Sequence, residues 1–317
     1  MSVTTIGALN TAVRTDQRAI DAVMKAKRRD LWVAGAGMFV MVVSMALLLS
    51  LIADLMIRGL PRIDLDFLSN FPSRRAERAG ILSAWVGTLL VMLVTAFLAV
   101  PIGVGAGLYL EEYARKGWVS NFIEVNVSNL AGVPSIIYGL LALGLFVYGL
   151  SLGKTILVAG MTLALLILPI VIVATREAVR SIPKIIKEGA YGLGADQWQV
   201  MWQYIIPAAR PGILTGAIVG LSRAIGETAP IITIGALTFI AFLPPSPVSG
   251  DFPFISFAWL NEGFTVLPIQ MFNWVSRPQA DFHVNAAATG VVLLALTFAL
   301  NGIAIWIRYR LRKAHRN

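Results

Sequence analysis

The sequence lacks cysteine altogether and contains only two histidines in 317 residues. Without cysteine, the chain can form neither disulfides nor thiolate metal sites. The histidines, His283 and His315, lie far apart in polar segments, and neither has a second potential ligand nearby at metal-binding spacing. These absences exclude a disulfide scaffold and argue against a metal centre.

Charged residues are also scarce, at 14% of the chain, compared with roughly 25% in a soluble domain. Hydrophobic residues make up 57%, and the mean hydropathy is +0.76. They form runs near the length of about 20 residues that a helix needs to cross a bilayer, rather than the short alternating segments of a membrane barrel. The sequence predicts an all-α, polytopic transmembrane helical bundle of about six spans, at residues 31–57, 82–110, 127–150, 156–175, 212–243 and 286–307.

The formal net charge of +9 follows the predicted topology rather than forming a nucleic-acid surface. Basic residues concentrate in the head before residue 31, in the loop 176–210 and in the tail after residue 307, all on the same side of an even number of spans. The positive-inside rule makes that side cytoplasmic, although five arginines in the first outer loop argue against it. We therefore expect a cytoplasmic basic segment at 1–30 and a transmembrane domain at 31–317, with both termini inside.

No polar stretch is large enough to form a separate soluble core, so any energy source should lie on another subunit. The first apolar run is preceded by thirty polar and basic residues and is too long for a signal peptide, so we expect no cleaved leader. The segment 244–285, rich in proline and aromatic residues, is expected outside the membrane. It could dock a partner or merely cap the bundle.

Two charges, Arg223 and Glu227, lie one helical turn apart in the long apolar run at 212–243. Each charge at the centre of a membrane helix costs roughly 2.5–3.5 kcal/mol, whereas an exposed i,i+4 pair returns only about 0.2–0.5 kcal/mol. The pair is therefore either part of a transport path or a charge network that fixes helix packing. Pro230 is expected to bend the helix just beyond it.

Small residues recur every four positions along the same run, which allows another helix to approach closely. They are Gly212, Gly216, Gly220, Ala224 and Thr228. At about 100° per residue, Arg223 and Glu227 should flank this seam and face protein or a water-filled path rather than lipid.

The loop 176–210 is too long for a simple turn. Pro183 fits the first turn of one short helix, and Asp196 is a plausible N-cap of a second, which Pro207 and Pro211 should close. Trp198, Trp202 and Tyr204 would give this loop a rigid knob that enters a partner's groove. An amphipathic helix on the bilayer surface is the alternative.

This loop resembles the coupling loop of permease subunits of bacterial ATP-binding cassette importers, which has Glu-Ala-Ala, three residues, Gly, nine residues and Ile-x-Leu-Pro. Glu188, Ala190, Gly194 and Pro207 match in register, whereas Gly189, Tyr204 and Ile206 depart from the pattern. The resemblance implies a type I, MetI-like permease fold. It also implies that Glu188, Gly189, Ala190, Gly194 and Pro207 dock on a separate ATPase subunit and transmit its closure.

Three other segments are similar to the A-type permeases of bacterial phosphate importers. They are residues 132–139 (Gly-Val-Pro-Ser-Ile-Ile-Tyr-Gly), residues 222–230 (Ser-Arg-Ala-Ile-Gly-Glu-Thr-Ala-Pro), and the outer stretches at 247–253, 265–268 and 273–274. The resemblance implies a heterodimer with a C-type sister permease, two ATPase subunits that bind ATP and magnesium, and an extracytoplasmic phosphate-binding protein. No cofactor is expected in this chain.

The sequence thus predicts a phosphate permease subunit in a bacterial plasma membrane, working by alternating access and catalysing no covalent chemistry. Arg223, Glu227, Ser222 and Thr228 are the expected path residues, because an arginine fork suits an oxyanion in charge and geometry. The glutamate would repel phosphate unless it is protonated, engaged by Arg223, or takes a proton from the anion. A permease for sulfate or molybdate is the nearest rival, and a secondary transporter or channel is the other.

Overall fold

The computed structural model of the chain describes residues 3–115, 117–237, 239–248, 254 and 256–313. These residues form helices and connecting segments without a β-strand. His315 and residues 249–253 of one outer stretch lie outside the described part. The chain divides into two compact units, residues 1–57 and 58–317, which we take separately.

The first unit is most of one long helix, α1 (Val3–Gly59). The helix runs without a break through the expected boundary between residues 30 and 31, so the basic segment and the first span share one helix. Its apolar part is long enough to cross a membrane.

The second unit contains α2 (Leu65–Ser69), α3 (Leu82–Leu108), α4 (Trp118–Leu130), α5 (Ser135–Ala142), α6 (Ile156–Arg180), α7 (Lys184–Gly192), α8 (Gln197–Gln199), α9 (Ile206–Gly226), α10 (Ala229–Thr233), α11 (Leu267–Val275) and α12 (Ala280–Lys313). Wider π-helical turns follow α3, α5 and α8. Across the described residues of the whole chain, five helices are long and apolar enough to span a membrane, and the bent pair formed by α4 with the α5 segment can provide a sixth. The predicted all-α bundle of about six spans is confirmed.

The centre of the second unit is α6, which packs against α3 on one side and α9 on the other. Glycines permit both approaches. Gly103 and Gly107 of α3 face Val171 and Thr175, and Gly212 of α9 faces Ala178. The predicted small-residue seam of α9 is therefore a packing surface against α6, as its four-residue spacing indicated.

The predicted third span is not one straight helix from residue 127. α4 begins at Trp118, and α4 and α5 meet at an angle of 104° across a short break before Pro134. Proline cannot donate a backbone N–H, and it restricts the preceding residue to extended geometry. The apolar run therefore folds as two segments.

The segment 244–285 caps one end of the bundle along part of its length. Trp259, Phe264 and the start of α11 are buried, and the Leu267 N–H donates to Thr88 Oγ1 of α3 at 2.9 Å. Val248 and Phe257 are exposed instead. From Trp259 onward the segment therefore contributes buried side chains to the membrane domain's core, whereas the stretch before it includes exposed apolar side chains.

The α3–α6 contact can be tested with two glycines that lie two residues apart. A Cβ at Gly107 would lie 2.7 Å from the Thr175 Cβ, whereas a Cβ at Gly105 meets nothing within 4 Å. Gly107→Ala should lower the free energy of unfolding by about 1–3 kcal/mol through overpacking, and Gly105→Ala should not lower it. Thermal unfolding of both purified variants in the same detergent measures the difference; equal stability of the two would contradict this packing.

Candidate functional site

The Arg223–Glu227 ion pair lies where α9 ends. Glu227 is the first residue after the helix and has extended backbone geometry, and the Arg223 Nε donates to Glu227 Oε1 at 3.1 Å. The Arg223 side chain is 38% exposed and that of Glu227 is 18% exposed. Within the described part of the chain, the two terminal nitrogens of Arg223 make no hydrogen bond. The open side of the guanidinium can therefore receive an anion in the two-pronged manner that arginine favours.

The break in α9 lies closer to the pair than expected. Pro230 was predicted to bend the helix beyond Glu227, but α9 stops at Gly226 and Pro230 lies in the first turn of α10. A proline ring clashes with the carbonyl four residues earlier, and here that carbonyl belongs to Gly226, the last residue of α9. The helix long enough to span therefore covers residues 197–226 rather than the predicted 212–243, and no helix is described from residue 234 to 243. The charge pair lies at the end of this helix.

Two segments that the sequence singled out separately meet at this break. A Cβ at Gly139 of α5 would lie 2.6 Å from the Pro230 Cα, so the backbones of α5 and α10 approach as closely as glycine allows. The Tyr138 hydroxyl donates to the Leu130 carbonyl at 2.8 Å, across the bend between α4 and α5. The bend between α4 and α5 and the break after α9 therefore lie next to each other where Gly139 approaches Pro230, three residues after Glu227.

Ser222 and Thr228, the other expected path residues, have different surroundings. Ser222 Oγ lies 2.6 Å from Asn301 Oδ1 of α12 and 2.7 Å from the Ile218 carbonyl oxygen, so Ser222 faces α12. Thr228 is half-buried in the break itself, next to Glu227. Thr228 thus adjoins the pair, whereas Ser222 lies in a helix crevice.

The coupling-loop residues form a compact helical hairpin. α7 ends in a Schellman motif, in which the Gly194 N–H donates to the Tyr191 carbonyl at 2.9 Å and the Ala195 N–H to the Ala190 carbonyl at 3.1 Å. Gly194 has φ +87°, a conformation that L side chains rarely adopt. The Gly of the motif is therefore required by the turn.

The second helix of the hairpin begins as expected but does not end as expected. Asp196 is its N-cap, in a reciprocal capping box with Gln199. Pro207 and Pro211 were predicted to close this helix, yet it continues through both prolines to Gly226. A π-helical turn at Val200–Ile205 precedes Pro207 and changes the hydrogen-bond register there, which accommodates a residue without an N–H. The hairpin and the helix that carries Arg223 are consequently one continuous element.

The hairpin buries one face and exposes the other. Ala190 packs in a small core with Val179 of α6 and Ile213 of α9, whereas Glu188 and Gly189 are exposed. Large apolar side chains are exposed as well, namely Ile185, Leu193, Trp198, Trp202 and Tyr204. Trp198 and Trp202 contact each other at 5.3 Å between ring centroids. An exposed apolar patch of this kind marks an interaction surface.

An ion-pair network beside the hairpin was not identified from the sequence. Arg176, 8% exposed, pairs with Glu124 of α4 at 2.8 Å and with Glu111 at 3.4 Å. Arg180 makes two contacts with Glu111, at 3.0 and 3.2 Å. Since α6 extends to Arg180, the first residues of the predicted loop 176–210 belong to a helix. The network joins that helix to α4 and to the π-helical turn after α3.

The same network reaches the hairpin through Glu112. Lys187 of α7 pairs with Glu112, and Gln197 of α8 donates to the Glu112 carbonyl at 3.0 Å. The available sequence signal was the acidic pair directly after one apolar run and the two arginines, four residues apart, after another. No group of three or more candidate metal ligands occurs among the residues that the structure describes.

Comparison with known proteins agrees with this geometry. Residues 99–313 match the family described as the binding-protein-dependent transport system inner membrane component. The chain is 32% identical over 247 residues to the phosphate transport system permease protein PstA of Haemophilus influenzae, covering 76% of this chain and 80% of that protein. It is also 32% identical over 265 residues to PstC of Pasteurella multocida, covering 75% and 77%.

The fold is similar to that of a solved structure of the MetNI methionine ABC transporter in an inward-facing conformation. The TM-score is 0.54 at 18% identity, covering 71% of this chain and 93% of the other. The predicted MetI-like fold and the resemblance to phosphate-importer permeases are both confirmed, with A-type and C-type relatives matching at the same identity. The chain belongs to the family of binding-protein-dependent transport system inner membrane components.

Proposed function

We propose that this chain is a permease subunit of an ATP-driven phosphate importer in a bacterial inner membrane, and that phosphate passes the Arg223–Glu227 pair. The observation that carries the proposal is a half-exposed guanidinium at a helix break, held by one hydrogen bond and open on its other side. The similarity to PstA and PstC supports phosphate as the substrate. Both termini are assigned to the cytoplasm by the placement of basic residues.

In this proposal, Glu227 neutralises Arg223 while the path is empty, which lowers the cost of an isolated charge inside the membrane. Phosphate then competes for the guanidinium through its free terminal nitrogens. Because charge-assisted and bidentate contacts are the strong ones, the incoming anion can displace a carboxylate held by a single bond. Thr228, next to Glu227 in the break, offers a hydroxyl for a further contact, whereas Ser222, next to Arg223, faces α12.

The proposed assembly pairs this chain with a C-type sister permease on two ATPase subunits, with an extracytoplasmic phosphate-binding protein delivering substrate. ATP and magnesium would bind on the ATPases. The exposed apolar side of the α7–α8 hairpin, with Glu188 and Gly189, is the proposed docking surface. Because the hairpin continues into α9, its displacement would move the helix that carries Arg223.

The role of the pair can be tested by neutralising it singly and doubly. Arg223→Gln should lower phosphate uptake by a complete, vesicle-reconstituted importer roughly tenfold or more, since hydrogen bonds to charged groups contribute about 1.5–3 kcal/mol. Val219→Ala, one turn earlier on α9, is the control and should retain uptake. Co-purification of the ATPase establishes that each variant assembles.

The double variant Arg223→Gln/Glu227→Gln distinguishes a role of the pair in phosphate passage from a role in helix packing alone. Two glutamines can still hydrogen-bond across the break, but they cannot attract an anion. Uptake should therefore stay low in the double variant. Recovery of uptake to the level of the unmodified complex would show that the pair only fixes helix packing.

The ion pair between Lys187 of the hairpin and Glu112, in the π-helical turn after α3, can be tested by exchanging the two charges. Lys187→Glu places two carboxylates together and should reduce both uptake and substrate-stimulated ATP hydrolysis. Adding Glu112→Lys should restore them, with an interaction energy on the order of 1 kcal/mol. Lys184→Glu on the same helix has no described ion pair and serves as the charge control. A double variant as impaired as Lys187→Glu alone would refute the link.

The turn of the hairpin offers a matched pair of glycine substitutions. Gly194→Ala forces a side chain into left-handed geometry at a cost of about 1–2 kcal/mol, and should reduce the ATPase recovered with the permease. Gly192→Ala lies at the end of α7 with open space around it and should retain recovery. Quantitative co-purification compares them, and normal recovery with Gly194→Ala would contradict a need for this turn.

A further inference from the structure

A crevice between α3, α9 and α12 lies outside the proposed phosphate path. Its larger part is a cavity of about 550 Å³ lined by apolar side chains, among them Met92 and Leu93 of α3, Leu221 and Ile225 of α9, and Leu300 and Ala304 of α12. The hydrogen-bonded Ser222 and Asn301 are its main polar feature. Such a lining suits a hydrocarbon chain.

A second cavity, of about 400 Å³, lies between the same two helices α9 and α12. Thr215, Arg308 and Tyr309 are among the residues that line it. Arg308 is one turn beyond Ala304, and Thr215 less than one turn before Ile218, so the two cavities follow each other along one crevice. The crevice is therefore apolar over most of its length and basic at one end.

Arg308 is placed to hold an anion at that end. Its Nη1 donates to Thr215 Oγ1 at 2.7 Å, and no carboxylate in the described part of the chain pairs with it. Trp306 and Tyr309, which are exposed, have the aromatic character of residues at a membrane interface. Further basic residues follow in the tail, so an anionic group is favoured at this end of the crevice.

The dimensions match one leaflet of a membrane. From Thr297, which lines the apolar cavity, to Tyr309, which lines the basic one, the helix rises about 18 Å, close to half of a hydrocarbon core of roughly 30 Å. The apolar cavity of about 550 Å³ leads to a basic end at Arg308, an arrangement that suits an acyl chain joined to an anionic headgroup.

We infer that this crevice binds one anionic phospholipid, with an acyl chain between α3, α9 and α12 and the headgroup phosphate at Arg308. The Ser222 side of α9 then contacts lipid, whereas Arg223, the next residue, belongs to the charge pair. Occupancy of the crevice would favour one position of α9 and so adjust transport. The effect of lipid on transport rests on the proposed function, but lipid binding itself does not.

The test uses the complete importer purified in detergent, loaded with phosphatidylglycerol and examined by native mass spectrometry. Arg308→Gln should weaken retention of one phosphatidylglycerol roughly fivefold, the effect of about 1 kcal/mol for one basic residue at the membrane surface. Arg310→Gln is the matched control, because Arg310 stacks on Trp306 instead, at 4.8 Å from the ring centroid. It should retain the lipid.

Two more variants separate lipid binding from helix packing. Thr215→Val removes the hydrogen bond to Arg308 but keeps the guanidinium, and should retain the lipid. Ala304→Phe fills the apolar cavity and should displace the lipid while Arg308 is intact. Equal losses with Arg308→Gln and Arg310→Gln, or retention with Ala304→Phe, would overturn the assignment, as would cross-links that place a sister-permease helix in the crevice.

Discussion

The pairing of Arg223 with Glu227 at the end of α9 is the constraint on which the rest of this membrane domain depends. Two charges and a broken backbone are each costly in a hydrocarbon environment, where no water can complete their hydrogen bonds. Here they occur together, so that each charge offsets the other, and α5 packs against α10 directly after the break. Gly139 allows that approach, because any side chain there would hold α5 away from Pro230.

Two kinds of contact hold the surrounding helices together, one in the middle of the bundle and the other at the end near the hairpin. Between α3, α6 and α9, glycine and alanine bring backbones together, and the Thr95 hydroxyl of α3 lies 3.3 Å from the Gly160 carbonyl oxygen of α6. At the end near the hairpin, Arg176, Arg180 and Lys187 join α4, α6, α7 and the π-helical turn after α3 through carboxylates. Close packing of small residues in the middle of the bundle and ion pairs at the end near the hairpin are suited to transmitting a movement of the hairpin to the membrane helices.

Much of this was predictable from the sequence. Span number, the small-residue seam and the Asp196 cap follow from periodicity and local chemistry, which short segments determine by themselves. The motif positions Glu188, Ala190 and Gly194 were found by resemblance, and the Schellman turn gives Gly194 its physical reason. The bend between α4 and α5 and the continuation of α9 through Pro207 were not predicted, since proline ends a helix or is accommodated according to the turn before it.

The ionic network and the surroundings of Ser222 could not be predicted for a different reason. Both depend on which faces of distant helices meet. A mostly apolar helix has no distinct polar face, so its sequence does not determine how it is rotated about its own axis in the bundle. Ser222 and Arg223 are neighbours in the chain, and the sequence therefore predicted that both line the phosphate path. On a helix they point about 100° apart, toward α12 and toward the break. The same turn of α9 therefore lines the apolar crevice on one side and carries the charge pair on the other.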